Sequence, residues 1–296
     1  MRVFVTGATG FIGSAIVKDL MRAGHTVLGL ARSDEKAAEL AAVGAEAHRG
    51  SLGDLESLKQ GASRSDGVIH PAFNHDFSTY AANCEDDRHV IEALGAGLAG
   101  STRPLVVTSG TAVVLNVAGQ PSREDGAPVR SADVPRAASD EAVAALVATG
   151  VNASVVRLPQ VHNTEMQGFV TYVVAAARDK GVSAYVGDGE SRWPAAHVED
   201  VARLYRLALE KAEPGAIYNA VAEEGIRLRD IAEVVGRRFA LPIRSITPEE
   251  AEGHFGWLAP FAMRDMPASS DLTRHKLGWM PTGPGLLADL EAIRGA

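Results

Sequence analysis

Several residue types and sequence features are scarce in this chain, and each absence excludes a class of protein. A single cysteine, Cys84, rules out an internal disulfide and is compatible with a reducing cytoplasm. No apolar run reaches the length of about 18 residues that suggests a membrane span. The net charge is −8 and no basic cluster stands out, which argues against a nucleic-acid partner. The histidines are scattered without metal-ligand spacing. We therefore expect a cytoplasmic protein with no membrane, nucleic-acid or metal partner.

Tyrosine and lysine are also missing from the middle of the chain. No lysine occurs between Lys59 and Lys180, and Tyr80 is the only tyrosine before Tyr172. Chemistry that needs a neighbouring tyrosine and lysine in this region is therefore excluded.

What is present begins with a glycine-rich turn. Residues 2–6 form a short apolar segment, followed by Thr6-Gly7-Ala8-Thr9-Gly10-Phe11-Ile12-Gly13 and a stripe of apolar residues at helical spacing. This strand, turn and helix are the context in which glycines bind a dinucleotide: Gly7 permits the turn, Gly10 admits the pyrophosphate, and Gly13 lets helix and strand pack closely. The free N–H groups at the start of the helix then face the phosphates.

The end of the second predicted strand indicates which dinucleotide binds. NAD enzymes usually place an acidic residue there to hold the ribose hydroxyl. Here the sequence is Leu30-Ala31-Arg32-Ser33. Arg32 can form a forked contact with a 2′-phosphate and Ser33 can donate to it, so we expect NADP(H).

Strand and helix patterns alternate through the first half, which predicts an α/β fold with a doubly wound, Rossmann-type parallel sheet. The predicted strands are 2–6, 26–31, 45–48, 67–70, 104–108 and 151–157, and the predicted helices are 11–23, 34–43, 54–61, 78–99 and 138–149. We assign 1–158 to an NADP-binding domain, with a returning segment near 190–217, and 159–296 mainly to a smaller substrate lobe. Helices are expected near 166–180 and 197–211, followed by a poorly periodic tail rich in aromatic residues.

With these features the chain resembles the short-chain dehydrogenase/reductase superfamily, in its extended and atypical branches. The resemblance spans essentially the whole chain and rests on TGATGFIG at the start, GVIHPAF at 67–73, LVVTSGTAV at 105–113, VVRLPQVHN at 155–163 and HVEDVARLYRLALE at 197–210. It implies further cofactor contacts by Ser51 and Leu52 near the adenine, and by Pro71, Ala72, Phe73, Thr108, Pro159 and Val161 toward the nicotinamide.

The catalytic residues of that superfamily are not conserved here. Where members carry a hydroxyl residue after the fifth strand, and then a tyrosine and a lysine four residues apart, this chain aligns Gly110, Arg136 and Asp140. Ser109 and Thr111 flank the glycine, Asn83 matches the helical asparagine of the superfamily, and Asp87 lies one turn later. Such departures are typical of an atypical group that includes ketoreductases of polycyclic aromatic polyketides.

We therefore expect an NADPH-dependent ketoreductase acting on an aromatic ketone, as a monomer or homodimer. Ser109 and Thr111 are candidate donors to the developing oxyanion, and His75, Asp87 and Tyr80 are candidate acids. The alternative that we favour is a proton delivered by a phenol of the substrate beside the ketone. Candidate substrate contacts are Asn74, Trp193, His197, Phe255 and Trp257. Two other functions remain open: a non-catalytic NADP-binding sensor or scaffold, and an epimerase or dehydratase.

Overall fold

The computed structural model describes residues 1–115 and 117–293. Its strands are β1 Arg2–Val5, β2 Thr26–Ala31, β3 Glu46–Arg49, β4 Gly67–His70, β5 Leu105–Gly110, β6 Ala153–Leu158, β7 Gln160–His162, β8 Ser183–Val186, β9 Arg192–His197, β10 Ile217–Asn219, β11 Glu223–Arg227 and β12 Ile243–Ile246. Its α-helices are α1 Phe11–Arg22, α2 Asp34–Ala42, α3 Leu55–Ser63, α4 Tyr80–Leu98, α5 Ala138–Ala148, α6 Val170–Lys180, α7 Val198–Lys211, α8 Leu228–Phe239, α9 Pro248–Phe255, α10 Ala259–Ala262, α11 Asp271–Leu277 and α12 Leu286–Glu291.

The main sheet has seven parallel strands in the order β10-β6-β5-β4-β1-β2-β3. The order reverses between β1 and β4, so the sheet is doubly wound, and the predicted α/β Rossmann-type fold is confirmed. The strand β10 joins the sheet after an excursion of the chain through the second half, by pairing with β6.

Helices cover both faces of this sheet with separate apolar cores. On one face α1 and α7 pack over the sheet around Ile16, Leu20 and Val201. On the other face α3, α4 and α5 pack around Leu58, Ile91 and Val143. The strands are buried on both faces, which is why they appear in the sequence as nearly continuous apolar runs.

The second half builds its own core from two small sheets, β11-β9-β7 and β12-β8, and from helices α6, α8, α9, α10 and α12. The tail that we expected to be poorly periodic contains β12 and four helices of eight residues or fewer. Helices this short complete barely two turns, so they leave little apolar period in the sequence. The proposed division at residue 158 stays a prediction.

Candidate functional site

The glycine turn between β1 and α1 leaves no room for side chains. Gly7 has a φ of +56°, and the N–H of Gly10 donates to the carbonyl oxygen of Gly7 at 2.9 Å. A Cβ on Gly13 would lie 1.9 Å from that same oxygen. Thr9 and Phe11 flank Gly10, which is the N-cap of α1, and no side chain caps the helix. The first-turn N–H groups, including that of Ile12, are therefore available to an anion, which fits a dinucleotide pyrophosphate.

The end of β2 presents a cation beside this turn. Arg32 is exposed and forms no hydrogen bond or ion pair with any other residue in 1–115 or 117–293. The Ser33 hydroxyl caps α2 by accepting the N–H of Lys36 at 3.3 Å, which leaves its own hydrogen free to donate. Ser51 is exposed and Leu52 is half-buried against the sheet core, at the end of the neighbouring strand β3.

The three positions that align with the catalytic residues of the superfamily hold no catalytic side chains of the usual kind. Gly110 ends β5, and a Cβ built there would meet only the carbonyl oxygen of Leu158, at 4.0 Å. Arg136 lies in a short 3-10 helix before α5, and Asp140 lies in the first turn of α5. Both charged residues are engaged in ion pairs.

Arg136 pairs with Asp87 of α4. Its Nη1 lies 2.7 Å from Asp87 Oδ2 and its Nη2 donates to the carbonyl oxygen of Thr108 at 2.8 Å. It also donates to the Ser139 hydroxyl, and its guanidinium carbon lies 4.3 Å from the centre of the Phe73 ring. A guanidinium stays protonated, so Arg136 cannot serve as the proton donor that a tyrosine would be.

Asp87 is the hub of a buried network. Its Oδ1 lies 3.0 Å from His70 Nε2, its Oδ2 accepts the Ser139 hydroxyl at 2.7 Å, and His70 Nδ1 lies 2.6 Å from Thr6 Oγ1. Burial alone raises the pKa of Asp87, but the hydrogen bond from His70 and the charge of Arg136 outweigh it and hold that pKa well below its usual range. This lowered pKa favours the carboxylate form of Asp87 and opposes its proposed role as a proton donor.

Asp140 pairs with Arg157 of β6. Asp140 Oδ1 accepts from Arg157 Nη2 at 2.7 Å and from Nε at 2.9 Å, and the arginine side chain is fully buried. Ser109 is the register neighbour of Arg157 on β5, and its buried Oγ has no hydrogen-bond partner among the described residues. The position aligned with the superfamily's lysine thus carries a neutralised negative charge.

The hydroxyl residues at the end of β5 have different surroundings. Thr108 Oγ1 lies 2.6 Å from the Tyr205 hydroxyl and donates to the carbonyl oxygen of His70 at 2.7 Å, so this side chain is fixed between β4 and α7. Ser109 faces α5 beside Arg157. Thr111 follows Gly110 in a 3-10 turn, and its hydroxyl forms no side-chain hydrogen bond within the part of the chain described. Both proposed oxyanion donors, Ser109 and Thr111, are therefore buried residues whose hydroxyls form no side-chain hydrogen bond among the described residues.

The loop that follows β4 carries several of the predicted site residues. Pro71, Ala72 and Phe73 are half-buried, and Ala72 approaches the glycine turn so closely that a Cβ on Gly7 would lie 3.1 Å from Ala72 Cα. Asn83 organises the rest of the loop by donating to the carbonyl oxygen of Asp76 at 2.7 Å and accepting from the Asn74 amide at 3.1 Å. Asn83 and Asn74 therefore shape this loop through contacts with each other.

Neither remaining candidate acid in this region is tuned for donation near neutral pH. His75 is exposed, but its ring packs edge-on against Phe73, and desolvation together with the charge of Arg136 lowers the pKa of His75. It is thus mainly uncharged at neutral pH, which opposes its proposed role as a general acid. Burial raises the pKa of Tyr80 to about 12.

An aromatic cluster joins this loop to the second half of the chain. The Phe77 ring stacks on Trp257 at 4.2 Å and 13° from parallel, and Phe169 and Tyr172 meet the edge of the Trp257 ring at 5.6 and 5.1 Å. On the other side, Tyr80 lies 5.8 Å from Phe77 and 6.2 Å from Phe73. Sequence reasoning missed Phe77, Phe169 and Tyr172, because nothing local to them indicates that three distant segments meet.

Other predicted substrate contacts lie in the core. Trp193 is fully buried and its Nε1 donates to the carbonyl oxygen of Phe261 at 3.1 Å, and Phe255 is buried in the core of the second half. Direct substrate contact is therefore not expected for either.

The remaining predicted site residues lie near β7 and the start of α7. His197 caps α7, where its Nδ1 accepts the N–H of Glu199 at 3.3 Å. Of the predicted cofactor contacts, Pro159 is half-buried, and Val161 is buried in β7, which pairs with β9.

Within residues 1–115 and 117–293 no group of three or more histidine, cysteine or acidic side chains is arranged to hold a metal ion. None of the helices in that part of the chain is both long and apolar enough to cross a membrane.

Comparison with known proteins agrees with this architecture. The model of the NAD dependent epimerase/dehydratase family matches residues 3–220. An uncharacterized protein of Schizosaccharomyces pombe is 48% identical over 291 residues, which cover 98% of each chain. A ketoreductase of Stigmatella aurantiaca, named for a 4-hydroxy-2-methyl-3-oxo-4-farnesyl-3,4-dihydroquinoline-1-oxide, is 25% identical over 77% of this chain and 70% of its own. The structure of a dTDP-glucose 4,6-dehydratase from Streptomyces venezuelae with NAD bound has a TM-score of 0.78 at 18% identity, over 99% of this chain and 96% of that one. The chain therefore belongs to the NAD dependent epimerase/dehydratase family.

Proposed function

We propose that the protein is an NADPH-dependent ketoreductase that reduces a carbonyl of a polycyclic aromatic, polyketide-type substrate. One observation carries the proposal: the loop after β4 packs against the intact glycine turn through Ala72 and joins the aromatic cluster through Phe73, while Arg136, at the usual tyrosine position, forms an ion pair with Asp87. The site thus retains the means to hold a hydride donor and a flat ligand, and has lost the usual protein acid.

Arg32 supports NADP(H) over NAD(H). The family is described as NAD dependent, and the structural relative binds NAD. In this chain the residue after β2 is an exposed arginine followed by the Ser33 hydroxyl, a pair that suits a 2′-phosphate and leaves the ribose hydroxyl without a carboxylate. When bound, the reduced nicotinamide supplies a hydride to the carbonyl carbon.

The chain's own residues position the reacting groups. Arg136 fixes the end of β5 through the Thr108 carbonyl oxygen and fixes Phe73 through its ring face. We assign Thr111 the role of donor to the developing oxyanion, because it directly follows the end of β5, whereas Ser109 lies beside the buried Arg157 on the face toward α5. Such positioning supplies several kcal/mol of a barrier, on the order of 7 or more in the best intramolecular cases.

The proton is proposed to come from the substrate. Arg136 stays charged, Asp87 stays ionised, the His75 pKa is lowered and the Tyr80 pKa is raised to about 12. A phenol beside the ketone is already hydrogen-bonded to the carbonyl oxygen. As the hydride reaches the carbon, the phenol proton moves to that oxygen, and the phenolate regains a proton from water. This makes a protein tyrosine dispensable.

The Stigmatella aurantiaca relative supports a reductase, since its name describes a ketoreductase of a fused-ring ketone. The finer resemblance that we propose is to ketoreductases of angucyclinone tailoring, of the kind found in simocyclinone biosynthesis. A role in antibiotic biosynthesis, a cytoplasmic location and a monomeric or homodimeric state belong to the same proposal.

Two alternatives are distinguished by experiment. Family membership favours an epimerase or dehydratase, but those reactions use the tyrosine for proton abstraction, and Arg136 replaces it here. Loss of the catalytic residues is also what a non-catalytic NADP sensor or scaffold would tolerate.

The test is NADPH oxidation, followed at about 340 nm, over a panel of polycyclic ketones and quinones with and without a phenol beside the carbonyl. Turnover confined to phenol-bearing compounds supports the proposal. Turnover of a sugar nucleotide with NAD favours the epimerase or dehydratase, and tight NADPH binding without turnover of any compound favours the sensor.

A further inference from the structure

We propose that the indole of Trp257 is the stacking platform for a planar ring of the substrate, and that the Phe77 ring fills this place until the substrate displaces it. The inference rests on the ketoreductase function proposed above, and it specifies how an aromatic substrate is recognised. The ligand class is a planar aromatic ring system.

The geometry of the pair is that of a stacked ligand. The two ring centres are 4.2 Å apart and the planes differ by 13°. Phe169 meets Phe77 edge-on at 5.8 Å and Trp257 edge-on at 5.6 Å, and Tyr172 meets them at 6.4 and 5.1 Å. One flat face and two edge walls form a slot for a planar ring, because edge-to-face contacts favour aromatic guests over saturated ones.

Trp257 is the fixed member of the pair. The nearby residues Phe255 and Leu258 are buried in the core of the second half, which anchors the segment on both sides. Trp257 is 41% exposed, and it borders a surface groove of about 460 Å³ that is lined also by Pro248, Pro260 and Met263 and by no other ring of the cluster. The platform is therefore held by the core, and its stacked face is the one that Phe77 covers.

Phe77 is the displaceable member. It lies in a three-residue 3-10 helix that is held by the Asp76 carboxylate, which accepts the N–H of Ser78 at 3.0 Å. The surrounding loop residues Asn74, His75, Asp76, Ser78 and Thr79 are all exposed. Phe77 thus packs on the other rings of the cluster and has no buried neighbour in its own segment.

The slot is connected to the candidate reaction centre. Tyr80 lies 5.8 Å from Phe77 and 6.2 Å from Phe73, and Phe73 lies under the Arg136 guanidinium. The contacts from Trp257 through Phe77 and Tyr80 to Phe73 form a continuous series of rings. This continuous aromatic surface favours a ligand with fused rings over one with a single ring.

The Phe77→Ala variant, in which the stacked face of Trp257 is uncovered, provides the first test. Trp193 and Trp279 are fully buried, so iodide quenching of tryptophan fluorescence reports mainly on Trp257, and the quenching should be stronger in this variant than in the unmodified protein. In the presence of NADP⁺, the ketone 1-tetralone should reduce the quenching in the variant, and its saturated counterpart 1-decalone should leave it unchanged. Equal protection by the two ketones would overturn the stacking platform.

Two variants then distinguish the role of Trp257 from that of Phe77 in calorimetric titrations with 1-tetralone. We expect Trp257→Leu to weaken binding about tenfold, and Phe77→Ala to tighten it several-fold because the competing ring is gone. Met280→Ala is the matched control, since Met280 is an apolar side chain that is 73% exposed and belongs to no aromatic pair of the cluster. Circular dichroism and NADPH binding check that each variant is folded.

If Phe77→Ala weakens binding as Trp257→Leu does, Phe77 contacts the ligand from a fixed position, and the proposal that the substrate displaces Phe77 is wrong. These titrations measure binding and do not depend on turnover. Protection of Trp257 without any NADPH oxidation would contradict the proposed function alone, whereas turnover with unchanged binding in both variants would contradict the slot alone.

Discussion

Arg136 and Asp87 form a buried ion pair, with Nη1 and Oδ2 2.7 Å apart, at the position where related proteins carry the catalytic tyrosine. The pair is linked through His70 to Thr6, beside the glycine turn, and through Arg136 to the end of β5. The same side chain that removes the usual acid therefore ties together the strand ends that surround the proposed nicotinamide site. This coupling leads to predictions for both stability and activity.

Removing only one partner of the Arg136–Asp87 ion pair should destabilise the folded protein. In Arg136→Met the buried Asp87 carboxylate loses its cation, and we expect a loss of about 3–5 kcal/mol in the free energy of unfolding. The double variant Arg136→Met/Asp87→Asn removes both charges and should recover part of that loss. Urea unfolding measures both variants, and a double variant less stable than the single one would contradict the charge-pair explanation.

Stability should depend on pH through Asp87. Its folded-state pKa is lowered from an ordinary value of 3.8, so the carboxylate contributes stability that is fully present above that value. The contribution is lost as pH falls below about 4 toward the folded-state pKa. Unfolding followed between about pH 5 and 2 should show a shallower decline in Asp87→Asn than in the unmodified protein. Parallel declines would show that Asp87 is not linked to folding in this range.

Arg32 should select the cofactor. In Arg32→Leu the cation that faces the proposed 2′-phosphate is lost, and we expect the NADPH dissociation constant to rise at least about tenfold with little change for NADH. Arg22→Leu, which removes an exposed cation from the end of α1, is the matched control. Calorimetric titration of both cofactors gives the comparison, and an equal loss for NADH and NADPH would refute selection by Arg32.

Two helix ends carry avoidable strain. Ala212 and Ala240 end α7 and α8 with φ of 50° and 54°, in the left-handed region that favours glycine. Ala212→Gly and Ala240→Gly should each raise the free energy of unfolding by up to about 1 kcal/mol. Ala208→Gly, in the interior of α7, should instead lower it by about 1 kcal/mol. Thermal unfolding of the three variants shows whether each substitution raises or lowers stability, and lower stability of both Ala212→Gly and Ala240→Gly would contradict the proposed strain.

The sequence predicts the fold much better than the active site, for physical reasons. Buried parallel strands and amphipathic helices leave local patterns, so the first half is predicted to within a few residues, as in α4, expected at 78–99 and found at Tyr80–Leu98. The glycine turn is likewise local. Motif alignment shows that Arg136 and Asp140 are unusual, but their partners Asp87 and Arg157 are 49 and 17 residues away in sequence, and no local pattern couples them.

The aromatic residues illustrate the same limit. Trp193 and Trp257 are both aromatic residues of the second half, and composition cannot tell them apart. The structure buries Trp193 within the second core and leaves Trp257 partly exposed against Phe77, which comes from a loop of the first half. Core packing and ligand contact are distinguished only by the surroundings that distant segments create.

The most direct test of the proposed chemistry compares two substrates that differ by one methyl group. The ketone 8-hydroxy-1-tetralone has a phenol hydrogen-bonded to its carbonyl, and in 8-methoxy-1-tetralone that proton is replaced by a methyl group. With NADPH and the unmodified protein, substrate-delivered protons predict kcat/KM at least about a hundredfold lower for the methyl ether, the lower end of what positioned proton transfer contributes. Equal kcat/KM for the two ketones would contradict the account and would require an acid supplied by the protein.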